Sequence, residues 1–207
     1  AWRDGVVRDG RRFADSQFLR AYAADRFGPG TTGGGPDRIE ARGTYLENLA
    51  RDFVARTRFR RLVLVSPDGR PILSDAATVG DVPAALAERA MTRAQVTFGA
   101  SRTRGGAQVL PVAYPVIRPQ SDRTPDAVVG AVVMEIGLRA VLRDVTRLPD
   151  LARGTETIRV LERADGTFRV LTPQGRAPWS VSHGSTLNDG RIAFTQGRQD
   201  GAPVFLT

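Results

Sequence analysis

His183, in the stretch SVSHGST, is the chain's only histidine, and cysteine is absent. These two residue types carry most metal ligation and much nucleophilic catalysis, so a search for chemistry begins here. One imidazole, with no thiolate and no second histidine, supplies too few donors for zinc or haem. Ser182 and Ser185 stand beside it. Neighbours in sequence do not make a triad, however, and the G-x-S-x-G turn that presents a nucleophile is missing. The stretch predicts an exposed loop histidine, with a hydrolase built around His183 as an alternative that His183→Ala would test. The run GPGTTGGG lacks the G-x-x-x-x-G-K-[ST] spacing and follows no apolar strand, so it predicts a flexible connector and not a phosphate loop. No pair of carboxylates stands apart from the turn and surface acids, which leaves glycoside chemistry without candidates. Missing cysteine also excludes disulfides and a thiol nucleophile. The expectation is a chain that is not itself an enzyme, with no metal site and no cofactor.

The basic residues offer a different chemistry. All 30 are arginine, against 22 acids, for a net charge of +8. Arginine meets phosphate well, so an Arg-rich protein acting on nucleic acid or an anionic surface is one reading. The arginines are scattered, however, and many sit next to an acid: Arg3-Asp4, Arg8-Asp9, Asp25-Arg26, Arg51-Asp52, Arg143-Asp144. That pattern predicts a solvated surface of mixed sign and no nucleic-acid partner. One basic face on the folded surface would reverse the choice.

Chemistry of any kind needs elements to hold it. A length of 207 residues allows one large domain or two small ones, and 41% apolar with 25% charged residues is the balance of a folded globular protein. No window approaches about 18 consecutive apolar residues, and no signal-peptide pattern is present. The chain opens at AWRDG and closes at PVFLT inside an apolar pattern, as a piece of something longer would.

Val6, Phe13, Leu19, Tyr22 and Phe27 have helical spacing over Asp4 to Phe27. The run GPGTTGGGP, residues 28–36, breaks it. Pro36-Asp37 restarts a helix with Asp37 as N-cap, and Ile39, Leu46, Leu49, Ala50, Phe53 and Val54 form its apolar stripe. From Phe59 the period becomes that of strands. Leu62–Val65 and Pro71–Leu73 flank Ser66-Pro67-Asp68-Gly69, where Pro presets the first corner and Gly accepts a positive φ. A short helix should open at Asp81-Val82-Pro83. Strands follow at Gln95–Ser101, Gln108–Arg118 and Val128–Gly137, then a helix from Leu138 to Arg147. After Pro149, hairpins are expected around Ala164-Asp165-Gly166 and Gln199-Asp200-Gly201.

The segments RLVLVSPDGRPILSD, VTFGAS, QVLPVAYPV and VVGAVVMEIGLRAVL, in that order, resemble the extracytoplasmic Cache sensor domain, a PAS-like module. The strand ending Tyr114-Pro115-Val116, the run Val129-Gly130-Ala131-Val132 and the closing Gly137-Leu138-Arg139-Ala140-Val141-Leu142 match its last strands and final helix. The stretch after Pro149 is similar to the membrane-proximal half of a double Cache ectodomain. The resemblance implies an α+β fold, with long N-terminal helices followed by tandem PAS-like antiparallel sheets, the second smaller. Its divisions would be 1–58 for the helical region with the loop 28–36, 59–148 for the membrane-distal domain, and 149–207 for the smaller domain. It further implies the periplasmic part of a bacterial membrane-bound receptor that senses a small molecule. The output would be a diguanylate cyclase, histidine kinase or chemoreceptor module, joined through flanking transmembrane helices that are not in this chain, and the N-terminal helix would form a homodimer.

A PAS-like pocket lies between the sheet and what covers it, and such pockets are largely apolar with a few polar groups. On that resemblance the ligand-binding candidates are Phe98, Ser101, Arg102, Tyr114, Arg118 and Met134. Arg102 would clamp a carboxylate in bidentate fashion, Tyr114 would offer a hydroxyl, and Ser101 and Arg118 stand at strand ends. Phe98 and Met134 would form apolar wall. Asp75 and Asp81 read as helix caps. The aromatic-Arg-Tyr-Asp pattern of amino-acid-binding relatives is not evident here.

Overall fold

A strand as apolar as VVGAVVMEIG must be covered on both faces. The chain achieves this by wrapping helices around one sheet. In the computed structural model, residues 2–27, 36–76, 81–118 and 127–146 are described, followed by strand residues 160–164, 167–172, 175–178, 195–199 and 202–206. Two compact units divide the chain, Ala1–Arg147 and Leu148–Thr207.

The first unit opens with helices α1 (Trp2–Ala14), α2 (Gln17–Phe27) and α3 (Pro36–Arg56). Then come β1 (Phe59–Val65), β2 (Pro71–Ser74), α4 (Ala84–Arg93), β3 (Thr97–Phe98), β4 (Arg102–Arg104), β5 (Ala107–Arg118), β6 (Ala127–Gly137) and α5 (Leu138–Thr146). The sheet order is β2-β1-β6-β5-β3, with β4 also on β5. Every one of these pairings is antiparallel. An α+β architecture with one antiparallel sheet between helices is therefore what this part of the chain adopts.

Register assigns the two faces. Phe98, Val112, Met134 and Leu62 form one cross-strand row, and Tyr114, two residues from Val112, points the same way. This face takes the N-terminal helices: the Tyr114 hydroxyl donates to the Val6 carbonyl of α1 at 2.9 Å. The opposite face carries Val63, Val65, Ala113, Ala131 and Val133, packed against Leu86, Ala87 and Ala90 of α4. Alanines on both sides let α4 lie close on the sheet, and its burial holds that helix in place more than its intrinsic propensity does.

The turn at Ser66–Gly69 forms as its residue types dictate. Gly69 adopts a φ of 83°, its N–H donates to the Ser66 carbonyl at 3.0 Å, and Ser66 Oγ accepts the Arg70 N–H at 3.0 Å. Three details differ from expectation. The helical stretch 4–27 is broken, because the Ser16 hydroxyl accepts the Leu19 N–H at 3.4 Å and starts a second helix. Asp37 lies inside the first turn of α3, which begins at Pro36. The strand expected at Gln95–Ser101 shrinks to Thr97–Phe98.

The second unit contains a three-stranded sheet, β7 (Val160–Ala164), β8 (Thr167–Thr172) and β9 (Gly175–Pro178), and a two-stranded one, β10 (Thr195–Gln199) and β11 (Ala202–Leu206). Both are antiparallel, in line with the two expected hairpins; β9 was not expected. His183 and the glycine run 28–35 lie outside the described residues.

Candidate functional site

Glu135 is the one charged residue in the apolar strand β6, and only 2% of it is exposed. A carboxylate so placed must be paired. Register shows with what: Arg61 and Pro111 are its neighbours on β1 and β5, and Arg102, paired with Val109, projects on the same face. The Arg102 guanidinium donates to Glu135 Oε1 through NH2. Arg104 NH1 reaches the same oxygen at 3.1 Å, and Arg61 NH1 lies 4.0 Å away. Arg102 and Arg104, two apart on a short strand, fall on one face by the period of a strand.

Asp81, just before α4, closes the cluster. Its backbone carbonyl accepts from Arg61 NH1 at 3.1 Å, Arg102 NH2 at 3.1 Å and Arg104 NH1 at 2.9 Å. Its carboxylate pairs with Arg102 NH1 at 3.0 Å while remaining 89% exposed. Two donors remain unsatisfied: Arg61 NH2 and Arg102 Nε are buried without a hydrogen-bond partner. The large majority of buried side-chain polar atoms have a hydrogen-bond partner. Three cations against two carboxylates, with spare donors, make a site suited to one more anion.

Neither acid expected to cap α4 does so. The N-cap is Pro83, with no side-chain hydrogen bond. Asp75 instead accepts the Leu62 N–H at 2.8 Å and fastens β1 to the end of β2. Burial raises its pKa, an effect that outweighs this hydrogen bond. The folded state therefore holds the Asp75 proton to higher pH than the unfolded chain, and stability falls as pH rises from the ordinary aspartate range through the folded pKa. Asp75→Asn keeps the acceptor for Leu62 and removes that loss. Urea midpoints of the variant should exceed those of the parent by a margin that widens with rising pH; a constant margin would mean that Asp75 does not titrate as described.

The six residues singled out from sequence do not form one site. Arg102 enters the cluster, and Ser101 is buried immediately before it. Phe98, Tyr114 and Met134 share the opposite face. Phe98 meets Trp2 edge-on at 6.1 Å with the Arg3 guanidinium 4.7 Å above its ring, and Met134 is fully buried. Tyr114 has its hydroxyl on Val6, and burial pushes its pKa far up. Arg118 is half-buried at the far end of β5. Sequence reading missed Arg61, Arg104 and Glu135. The available signal was Glu135 itself, an acid where both faces of a strand must be buried.

No protein-family model matches the chain, and no curated protein matches it. Among solved structures it is similar to the ligand-binding domain of the Pseudomonas aeruginosa PAO1 amino acid chemoreceptor PctB, in complex with L-Arg. The TM-score is 0.55 at 17% identity, covering 99% of this chain and 78% of that one. The likeness is one of fold, an antiparallel sheet between helices. A second similar structure is the ligand-binding domain of the chemoreceptor PctC from the same organism, in complex with GABA, at TM-score 0.49, 14% identity and coverage of 98% and 89%. In this fold the arginine cluster lies on the α4 face of the sheet, and the N-terminal helices occupy the other.

Proposed function

We propose that this chain is the extracytoplasmic ligand-sensing domain of a bacterial membrane-bound signalling protein, and that it takes a small carboxylate at Arg61, Arg102 and Arg104. The observation that carries the proposal is the pair of buried, unpartnered guanidinium nitrogens beside Glu135 on the face under α4. The similar domain of PctB binds L-Arg, itself a carboxylate. Here both acids of the cluster already pair with arginines, and three guanidiniums against two carboxylates leave the cluster net positive. A carboxylate without an α-ammonium is the better fit. Ser101 stays in the proposed site as the residue leading into β4.

The output module, whether chemoreceptor, histidine kinase or diguanylate cyclase, lies outside this chain in the proposal, as do the membrane-spanning helices. Among the described residues no helix is long and apolar enough to cross a membrane. A homodimer would form along the N-terminal helices. The nucleic-acid reading gains no support from Arg42, Arg58 and Arg70, which pair with Asp25, Asp9 and Asp68.

A thermal-shift panel of mono- and dicarboxylates beside their methyl esters tests the proposal. An acid present at about 100 times its Kd should stabilise by about 2.7 kcal/mol, or roughly 5–10 °C in a domain of this size, while its ester does nothing. Acids and esters that both leave the melting point unchanged overturn the ligand assignment and favour a spacer role for the sheet.

A further inference from the structure

A cleft of about 760 Å³ opens on the helical side of the first unit, between α1, α3 and α5. That is within the roughly 300–1,000 Å³ of small-molecule sites, and it faces away from the arginine cluster. Its floor is apolar: Phe13 is buried, Leu49 and Phe53 are half-buried, and the rings of Phe13 and Phe53 are 5.1 Å apart. Its rim is cationic, with Arg12, Arg56, Arg58 and Arg143 against Asp9 and Asp52. Asp9 is engaged by Arg58 at 3.3 Å and Asp52 by Arg56 at 3.6 Å. Arg12 forms no ion pair among the described residues, so the rim carries surplus positive charge above a partly exposed apolar floor.

We infer that this cleft is a second small-molecule site, taking an amphipathic monoanion whose flat apolar body lies over Phe13, Leu49 and Phe53 and whose acidic head meets Arg12. Apolar walls with a few charged groups fixing orientation are what such sites require, and guanidinium is suited to a carboxylate or sulfonate head. The position matters as well. The floor continues inward as a series of rings, Phe53 on Phe59 at 5.7 Å and Phe59 on Tyr114 at 6.4 Å, which ends in the sheet that carries Glu135. A molecule in the cleft touches α1, α3 and α5 at once, so it would bias any state in which those helices move relative to one another.

Calorimetric titration with 2-naphthoate, 2-naphthylmethanol and 2-naphthylmethylamine tests it, since the ring is constant and only the charge changes. Naphthoate should bind with one-to-one stoichiometry, the alcohol about fivefold more weakly or worse, and the amine more weakly still. Arg12→Glu, at an exposed position, should weaken naphthoate about fivefold, whereas the exposed Arg89→Glu on α4 should not. Leu49→Trp should fill the floor and abolish binding. The inference is overturned by equal affinity for all three compounds, by no binding, or by equal weakening in Arg12→Glu and Arg89→Glu. It is also overturned if the protein is a dimer by light scattering that Leu49→Trp converts to monomer, since a second copy then covers the cleft.

Discussion

Glu135→Gln is expected to destabilise the first unit by about 3–5 kcal/mol, because it removes the anion from three converging guanidiniums without changing volume. Arg61 decides the size of the effect. Its side chain is only 8% exposed, so it has no water to turn to, whereas Arg102 and Arg104, at 23% and 30%, can recover part of their solvation. The melting point should fall roughly 6–20 °C, and the urea midpoint should drop at an unchanged slope. The double variant Arg61→Met/Glu135→Leu should regain a large part of the loss, since replacing both partners of a buried pair by apolar groups is often close to neutral. A loss below about 1 kcal/mol in Glu135→Gln would mean that the cluster is solvated and the ion pairs are those of a surface.

Gly10→Ala should be comparably damaging, against the helix preference that favours Ala over Gly by about 1 kcal/mol. Gly10 is buried in α1 directly above the ring of Tyr114. A Cβ there would stand 2.1 Å from Tyr114 Cζ and 2.3 Å from its hydroxyl oxygen. The ring cannot retreat, because it is fully buried and edge-on to Phe59 at 6.4 Å. Overpacking of this severity costs about 3 kcal/mol or more, so sterics win over propensity. Tyr114→Phe alone should cost only about 1 kcal/mol, the net worth of the bond to Val6, and should not rescue Gly10→Ala, because Cζ stays in place. Tyr114→Leu should rescue it in part. A Gly10→Ala protein as stable as the parent would show that α1 is not seated on the sheet.

These two sites bracket the sheet. Tyr114 ties it to α1, Glu135 gathers the arginines on its other face, and both strands belong to one ladder in which Tyr114 pairs with Val132 and Pro111 with Glu135. A ligand that repositions the arginine cluster relative to β6 therefore acts on the same rigid layer that holds the N-terminal helices. Any signal must still come from different affinity for two arrangements.

How much of this could be read beforehand depends on range. The hairpin at Ser66–Gly69, the strands β5 and β6 and the helix α5 follow from local signals: a Pro-Asp-Gly corner, an unbroken apolar run, a helical stripe. The break between α1 and α2 rests on a single serine hydroxyl inside an otherwise helical pattern, which periodicity does not register. The site was harder still. Arg102 stood out, but Arg61 lies in an adjacent pair with Arg60, and only the register of β1 on β6 decides which of the two points at Glu135. Tyr114 and Met134 join Arg102 as candidates through the resemblance to a PAS-like pocket. Alternation of faces separates them, and which face carries the helices is a long-range fact. Asp81 resembles a cap from sequence. It became a partner of arginines because Pro83 begins the helix and leaves the carbonyl of residue 81 facing β4.

In the proposed site Arg61 and Arg102 hold donors in reserve for a carboxylate. The guanidinium resonances of ¹⁵N-arginine-labelled protein, Nη–Hη for Arg61 and Nε–Hε for Arg102, titrated with the tightest acid of the panel, report on those groups directly. The Arg61 and Arg102 signals should shift together with one saturable dissociation constant, and should stay still when the methyl ester is added. Stabilisation by the acid with both signals unmoved would contradict the account and put the carboxylate elsewhere.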